Sequence, residues 1–495
     1  MASPKTILPV PKENYGRLKN FINGEWVDSE STEARDVVNP ATGELIAQVP
    51  LSTRDEVKSC IKAAKEAFSE WRETPPVVRA RSFFKLKQLM EEHFEDLSRT
   101  IVQENGKTID EAKGEVRRSI EEVECACGMP SLMKGYLCHN ISPGIDLKAV
   151  VEPLGIFCMI PAFNFPALVP LEYVPYAVAC GNTYIVKPTT DTPITQVRIF
   201  ELIAEVDFPP GVINLLHGSS EVGDILCEDP EVKGMSFVGS TPIGKYLYQK
   251  WTGQGKRAQC ATGAKNHLVI MPDADLNKTV QAMLTSFFGC AGQRCLAGSV
   301  AIPVGEVYSE LTKKFVEAAS KLRVGDGLDP DTQMGPVVSL AAKERVSKYI
   351  EQGLKEGARI ILDGRRTSVE GYPKGAFLGP TIFDEVRPNM VIATEEIFGP
   401  VACIVPARDF DEAISIIERN PYGHSALIFT SSGKWAQEFE NRAPCGNIGI
   451  NIGVAATQAY STLGGLKDSF FGDIHGRSES IQFFTDRKIV ITRWF

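Results

Sequence analysis

The segment Gly289-Cys290-Ala291-Gly292-Gln293-Arg294-Cys295-Leu296-Ala297 is the first place in this chain where residue types and spacing could do chemistry. Small residues flank Cys295 and leave room for a substrate to reach its sulfur. The arginine before it adds positive charge, which favours the nucleophilic thiolate. The bland alternative is a buried structural cysteine, the common fate of this residue type. The other cysteines among the 12, Cys290 included, lack such a setting.

Three more groups could serve the same reaction. Pro161-Ala162-Phe163-Asn164-Phe165-Pro166 follows an apolar run and holds an amide between aromatic rings and prolines. That amide suits an oxyanion, or it satisfies its own turn. Tyr184-Ile185-Val186-Lys187-Pro188 puts Lys187 at the C-terminal end of a strand, the edge where open α/β sheets bind ligands. A solvated surface lysine is the alternative. Phe237-Val238-Gly239-Ser240-Thr241-Pro242-Ile243-Gly244 ends a strand and opens a helix, whose first N–H groups suit a pyrophosphate. It is not the G-x-G-x-x-G fingerprint, and a plain strand–turn–helix fits it equally.

The elements around these groups read as an α/β protein. Buried strands are expected at 155–160, 183–186, 212–216, 234–238 and 267–270, with room for crossover helices between them, which is the grammar of a parallel sheet. Before them, Phe21 to Trp26 reads as a hairpin around Asn23-Gly24. Thr53 and Glu56 form a capping box ahead of Val57, Ile61, Ala64 and Phe68 at helical spacing. Leu86, Met90, Phe94, Leu97 and Ile101 make another stripe, ended by Asn105-Gly106. A mixed region from 276 to 445 predicts helices at 307–322 and 340–355 and strands at 401–405 and 426–430. The tail from Ile481 to Phe495 reads as strand.

A chain of 495 residues predicts two or three domains. Hydrophobic content of 43% and charged content of 23% are ordinary globular values. A net charge of -9 argues against nucleic acid or an anionic membrane as main partner. The cysteines show no Cys-x-x-Cys pair, which suits a reducing compartment, and no signal peptide or membrane-length apolar run is visible. The expectation is a cytoplasmic protein.

Taken in order, the motifs resemble the aldehyde dehydrogenase superfamily over nearly the whole chain. They are Asn39-Pro40-Ala41-Thr42-Gly43, the Asn164 segment, the Lys187-Pro188 step, the Gly239-Ser240-Thr241 turn, Gly292-Gln293-Arg294-Cys295, and Glu395-Glu396-Ile397-Phe398-Gly399-Pro400. The resemblance implies a doubly wound coenzyme domain from 1–130 and 150–261, an α/β catalytic domain at 262–468, and a β oligomerisation arm from 131–149 and 479–495. A homodimer or homotetramer follows. It also implies that Cys295 is the nucleophile and that Asn164 and the Cys295 N–H hold the oxyanion. Lys187 and Glu396 would hold the riboses of NAD or NADP, Gly239 and Ser240 the pyrophosphate, and Phe398 would pack beside the nicotinamide. Ile160, Pro161 and Phe163 would line the same cofactor groove. No metal is implied.

Hydrolytic members carry a glutamate where this chain has Ala261, in Ala261-Thr262-Gly263-Ala264-Lys265. That glutamate is the base that activates water. Thr262-Gly263-Ala264-Lys265-Asn266-His267 is similar instead to the methylmalonate-semialdehyde dehydrogenase subfamily, which passes the acyl group to coenzyme A. Gly114-Glu115-Val116 with Arg118, Pro130-Ser131-Leu132-Met133, Phe165-Pro166 with Val169-Pro170, and Gly472-Asp473-Ile474-His475 add to this likeness. Arg118 and Arg294 then grip a substrate carboxylate, and methylmalonate or malonate semialdehyde is the implied substrate. Two departures remain. The 454–465 loop lacks the subfamily's proline- and phenylalanine-rich character, and Thr190 stands where NAD enzymes usually carry glutamate, so NADP is expected to be accepted. A hydrolytic enzyme and a catalytically silent structural member are the alternatives.

Overall fold

The buried runs between 155 and 261 become the centre of an eight-stranded sheet. In a computed structural model, which describes residues 7–456, 458–473 and 476–495, five parallel strands lie in the order Ile213–Leu215, Thr183–Val186, Ile156–Ile160, Val232–Val238, Arg257–Ala261. Every residue of Thr183–Val186 is buried, as expected for a parallel strand covered on both faces. The strand order reverses between Ile156–Ile160 and Val232–Val238, so a crevice opens beyond Ile160 and Val238. The segments that follow them carry Pro161, Phe163 and Asn164 on one side and Gly239 and Ser240 on the other.

Antiparallel edges close this sheet. Asn20–Ile22 and Glu25–Val27 pair as a hairpin, with Asn23 at φ 55° and Gly24 at φ 81° as an Asn-Gly turn requires. Phe470–Gly472 joins the far edge beside Arg257–Ala261. A second sheet of seven strands is parallel except for Arg359–Leu362 at its edge, and Asn266–Ile270 lies within it beside Gly298–Pro303. It has its own apolar core, from Leu268 to Ala455.

The capping box at Thr53 and Glu56 starts the helix Arg54–Trp71. The stripe from Leu86 to Ile101 is split into two helices, Pro76–Glu92 and Phe94–Asn105, because His93 leaves helical geometry at φ -100° and ψ 16°. The tail also differs from expectation. Arg477–Phe484 is helical, and strand begins only at Thr485. Phe483 and Phe484 both pack against Phe157. Neighbouring side chains on a strand face opposite sides, so burying both in one core requires a helical turn. Thr485–Arg493, Ile145–Pro153 and Tyr136–Ser142 form a separate three-stranded antiparallel sheet. Among the described residues no helix is long and apolar enough to cross a membrane, and no cluster of His, Cys, Asp and Glu could hold a metal ion. Thr457, Ile474 and His475 lie outside the described residues, which removes part of the 454–465 loop and of the Gly472-Asp473-Ile474-His475 motif from structural account.

Candidate active site

The site is built on one helix, Ile109–Cys127, started by a capping box between Thr108 and Glu111. Val116, Ile120 and Val123 bury its apolar face. Glu111, Glu115 and Arg118 follow at spacings of four and three, which puts all three on one side of the helix. Glu115 is fully buried and pairs with the buried Lys107 at 2.6 Å. Its other oxygen accepts the Ala167 and Leu168 N–H groups at 2.8 and 3.3 Å. Lys107 donates to the Asn164 carbonyl at 2.7 Å and lies 3.9 Å over the Phe165 ring. Three elements are thereby locked around Asn164, whose amide donates to the Gln293 carbonyl at 3.0 Å. The amide thus reaches the segment that carries Cys295.

That segment is strained. Cys290 and Ala291 sit at φ 49° and 51°, the left-handed region that residues with a Cβ avoid. Glu111 holds the turn: one oxygen accepts the Cys290 N–H at 2.7 Å and Arg294 Nη2 at 3.0 Å. Arg294 Nε also lies 3.1 Å from Cys290 Sγ. Gly289 lets this happen, since a Cβ there would be 2.7 Å from the Arg294 guanidinium. Arg294 is therefore engaged by Glu111 and Cys290, although it also lines the cavity in front of Cys295.

That cavity has a volume of about 490 Å³. Cys295, Arg118, Glu172, Phe165, Ala261 and Thr262 face it. Burial pushes the Cys295 thiol up to about 12, with the Glu172 and Glu396 carboxylates adding to the rise and Arg118 opposing it. The sequence assigned the activating charge to the neighbouring Arg294, which does interact with the Cys295 charge; Arg118, from another element, is a second cation that lowers the thiol's pKa. Burial and the Glu122 charge raise the Glu172 carboxyl to about 8 against the pull of Arg118. His424 also lines the cavity; burial lowers its imidazole to about 4, and its Nδ1 has no hydrogen-bond partner among the described residues.

The motif reading missed Lys107, Glu111, Glu172 and His424. Signals existed for two of them. Glu111 stands three residues after Thr108, the spacing of a capping box. Glu172 is the single charge in the run Ala167 to Cys180, and a lone acid in an apolar stretch asks for an explanation.

The cofactor side lies at the crevice. Lys187 is buried, donates to the Pro188 carbonyl at 3.1 Å, and is lowered to about 8 by burial. Ser240 caps the helix Thr241–Thr252, yet its side chain makes no capping bond. It is exposed, so the helix N-terminus and the hydroxyl both face outward, a fit to a phosphate. Glu396 accepts the Ala264 N–H at 2.9 Å, and burial raises its carboxyl to about 7. Phe398, at φ 53°, meets Phe163 edge-on at 5.6 Å. The Phe163 carbonyl is fixed by Asn105 and Thr192. Ile160 ends its strand next to the buried Pro161, Gly239 follows Val238, and Thr190 is half-buried three residues after Lys187. A lysine, an exposed helix N-terminus, a carboxylate and an aromatic ring along one crevice are the donor set a nicotinamide dinucleotide needs.

The model of the aldehyde dehydrogenase family matches residues 26–490. A relative named malonate-semialdehyde dehydrogenase 3, from Geobacillus kaustophilus (strain HTA426), is 46% identical over 481 residues, 96% of this chain and 99% of its own length. A crystal structure described as a methylmalonate-semialdehyde dehydrogenase from Sinorhizobium meliloti 1021, complexed with NAD, matches with a TM-score of 0.95 and 39% identity, covering 97% of this chain and 98% of its own. The methylmalonate-semialdehyde dehydrogenase of Oceanimonas doudoroffii matches with the same TM-score at 41% identity, with coverage of 97% and 98%.

Proposed function

The chain belongs to the aldehyde dehydrogenase family, and we propose that it oxidises a short acidic semialdehyde to an acyl-coenzyme A through a thioester on Cys295. The names of its relatives support the substrate class. The observation that carries the acyl acceptor is Ala261: it faces the same cavity as Cys295 and has no group to take a proton from water.

The residues divide the work. The Cys295 thiolate adds to the aldehyde carbon, and the carbonyl oxygen becomes an oxyanion. The second amide hydrogen of Asn164, with its first held by Gln293, meets that oxyanion together with the Cys295 N–H. A nicotinamide nucleotide bound along Lys187, Ser240, Glu396 and Phe398 supplies the hydride acceptor. Cys295 is left as a thioester. The thiol of coenzyme A then attacks the acyl carbon, and Cys295 leaves as thiolate. Arg118 anchors the substrate carboxylate in the cavity, which Arg294 also lines. NAD and NADP are both accepted, since Thr190 carries no charge to repel a 2′-phosphate.

A second reading has an observation behind it. Glu172 faces the cavity, and a carboxylate there could activate water in place of the missing base. The experiment that decides is the product of turnover with and without coenzyme A. Acyl-coenzyme A and dependence on the thiol support the first reading; full-speed release of free acid without it supports the second.

The three-stranded arm pairs two such chains. Its outer strands expose Leu137, Ile141 and Ile491, and an edge strand left unpaired is a template for a second copy. Sedimentation as a dimer or tetramer is the expected result. The 12 cysteines are all unpaired, which suits the cytoplasm.

A further inference from the structure

His424 lines the cavity before Cys295 and is 2% exposed. Hydrogen bonds on both of its neighbours fix its place. Ser425, which follows it, donates its N–H to Asn266 Oδ1 at 3.0 Å, and the Asn266 amide donates to the Cys295 carbonyl at 2.7 Å. Gly423, which precedes it, donates its N–H to the Ser469 hydroxyl at 3.1 Å, and the Ser469 carbonyl accepts the Thr262 N–H at 2.9 Å. The His424 carbonyl accepts the N–H and the side-chain amide of Asn447 at 3.1 and 2.8 Å. The imidazole is thereby held between the nucleophile and the end of the strand that carries Ala261.

Nδ1 of that ring is sealed away. It is buried with no hydrogen-bond partner among the described residues, against Gly465, where a Cβ would lie 3.2 Å from it. The nitrogen the ring can present to the cavity is therefore Nε2. A neutral imidazole carries one proton, on either nitrogen. Buried N–H groups without an acceptor are rarer than buried acceptors without a donor, so the proton belongs on Nε2. Burial keeps the ring uncharged at neutral pH. Nε2–H is then a neutral donor turned to the cavity, and it costs free energy until an acceptor enters. We propose that His424 is a specificity-determining residue whose Nε2–H donates to an oxygen of the substrate's acid group. A hydrogen bond onto a carboxylate is about twice as strong as one between neutral groups. A site built around such a bond rejects the analogue that lacks the oxygen, because the buried donor is left unmatched. The inference rests on the acidic-semialdehyde reading above and adds an uncharged contact for the acid group.

The matched pair that tests it is malonate semialdehyde and propanal, which differ by a carboxylate in place of a methyl group. The readout is the ratio of their kcat/KM values for nicotinamide reduction at saturating coenzyme A. Because both substrates see the same preparation, a partly unfolded variant does not distort the ratio. The wild type should favour malonate semialdehyde. His424→Phe, which keeps a ring and removes the donor, should lower that ratio at least about tenfold. His424→Asn, whose amide is again a neutral donor, should restore part of it. An unchanged ratio in His424→Phe overturns the proposal, even if both substrates slow together, since that is the mark of a structural role. A fall that His424→Asn shares in full overturns it too, because the effect then lies in the ring's shape and not in its donor. The wild-type ratio separates the two levels of the argument. A value near one means that the acidic-semialdehyde reading fails, and this inference with it; a high value that His424→Phe leaves intact removes His424 alone.

Discussion

Glu111 grips the backbone of Cys290: its Oε1 accepts the Cys290 N–H at 2.7 Å. The same oxygen takes Arg294 Nη2, and the other oxygen accepts the Thr108 N–H as half of a capping box. One side chain thus starts the helix that bears Arg118 and fixes the strained turn that presents Cys295. Glu111→Ala should lose about 2 kcal/mol of stability and slow the burst of reduced nicotinamide about tenfold or more at saturating aldehyde. Glu111→Gln, which keeps a neutral acceptor, should fall between. Thermal unfolding and single-turnover kinetics check both; an unchanged burst in the alanine variant refutes the clamp.

Lys107 and Glu115 form a buried ion pair, and breaking such a pair leaves one charge unmatched. Lys107→Met should cost about 3–5 kcal/mol and release Asn164 from the Lys107 contact on its carbonyl. The double variant Lys107→Met, Glu115→Gln should recover part of that stability without recovering activity, because the glutamine still holds Ala167 and Leu168 but the Asn164 carbonyl stays untethered. Denaturant midpoints and kcat for Lys107→Met, Glu115→Gln and the double variant test this. Equal stability of single and double variants would mean that the pair carries no coupling.

The parallel strands were legible because full burial writes itself as apolar runs, and Cys295, Asn164 and Lys187 drew attention because each sits next to such a run. The shared cavity was not. Glu172 and Arg118 are 54 residues apart in the chain and meet only when the helix Ile109–Cys127 packs on the 164–171 segment, and the capping role of Glu111 concealed its second contact, on Cys290. The pairing of the Arg294 guanidinium with Glu111 was likewise invisible, because the two are 183 residues apart in the chain. The tail misread as strand at Ile481 to Phe484 shows the same limit: composition gave its burial, and only the shared core of Phe157 gave its helical turn.

Cys295 rests as a thiol. With its pKa raised to about 12, the thiolate is a small fraction at neutral pH and grows tenfold with each pH unit below that value. Alkylation by iodoacetamide should therefore rise about tenfold per unit from about pH 6 to 9. Glu172 raises this pKa and Arg118 lowers it, so Glu172→Gln should speed alkylation at fixed pH and Arg118→Leu should slow it. Cys295→Ser should show neither alkylation at this site nor a burst. A rate that levels off below pH 8 in the wild type would contradict the raised value.

Ala261 ends its strand beside Val238 and faces the cavity. Ala261→Glu would return a carboxylate to the position where hydrolytic relatives keep their base. It should raise the release of free acid without coenzyme A by about a hundredfold, the usual worth of a positioned base, and lower the fraction of acyl-coenzyme A. Product analysis under both conditions measures this. No gain in free acid would mean that the thioester is shielded from water by the cavity and not by the lack of a base.

The cofactor preference turns on Thr190. An acidic side chain at the adenosine ribose accepts a hydrogen bond from the 2′-hydroxyl and repels a 2′-phosphate. Thr190 is half-buried just beyond the Lys187 strand and offers a hydroxyl that can donate to phosphate. Lys187 lies three residues before it and adds positive charge. The next residue, Asp191, is exposed, and its N–H is turned to the Thr189 hydroxyl at 3.4 Å. Thr190 thus brings no charge of its own to this segment, and Asp191 is the next acid along it. NADP should be used as well as NAD or better, judged by kcat/KM with one aldehyde. Thr190→Glu should lower NADP use at least tenfold, about 1.4 kcal/mol, and spare NAD. A tenfold preference of the wild type for NAD would show that Asp191 or the backbone excludes the phosphate, and Asp191→Asn would then be the variant that admits it.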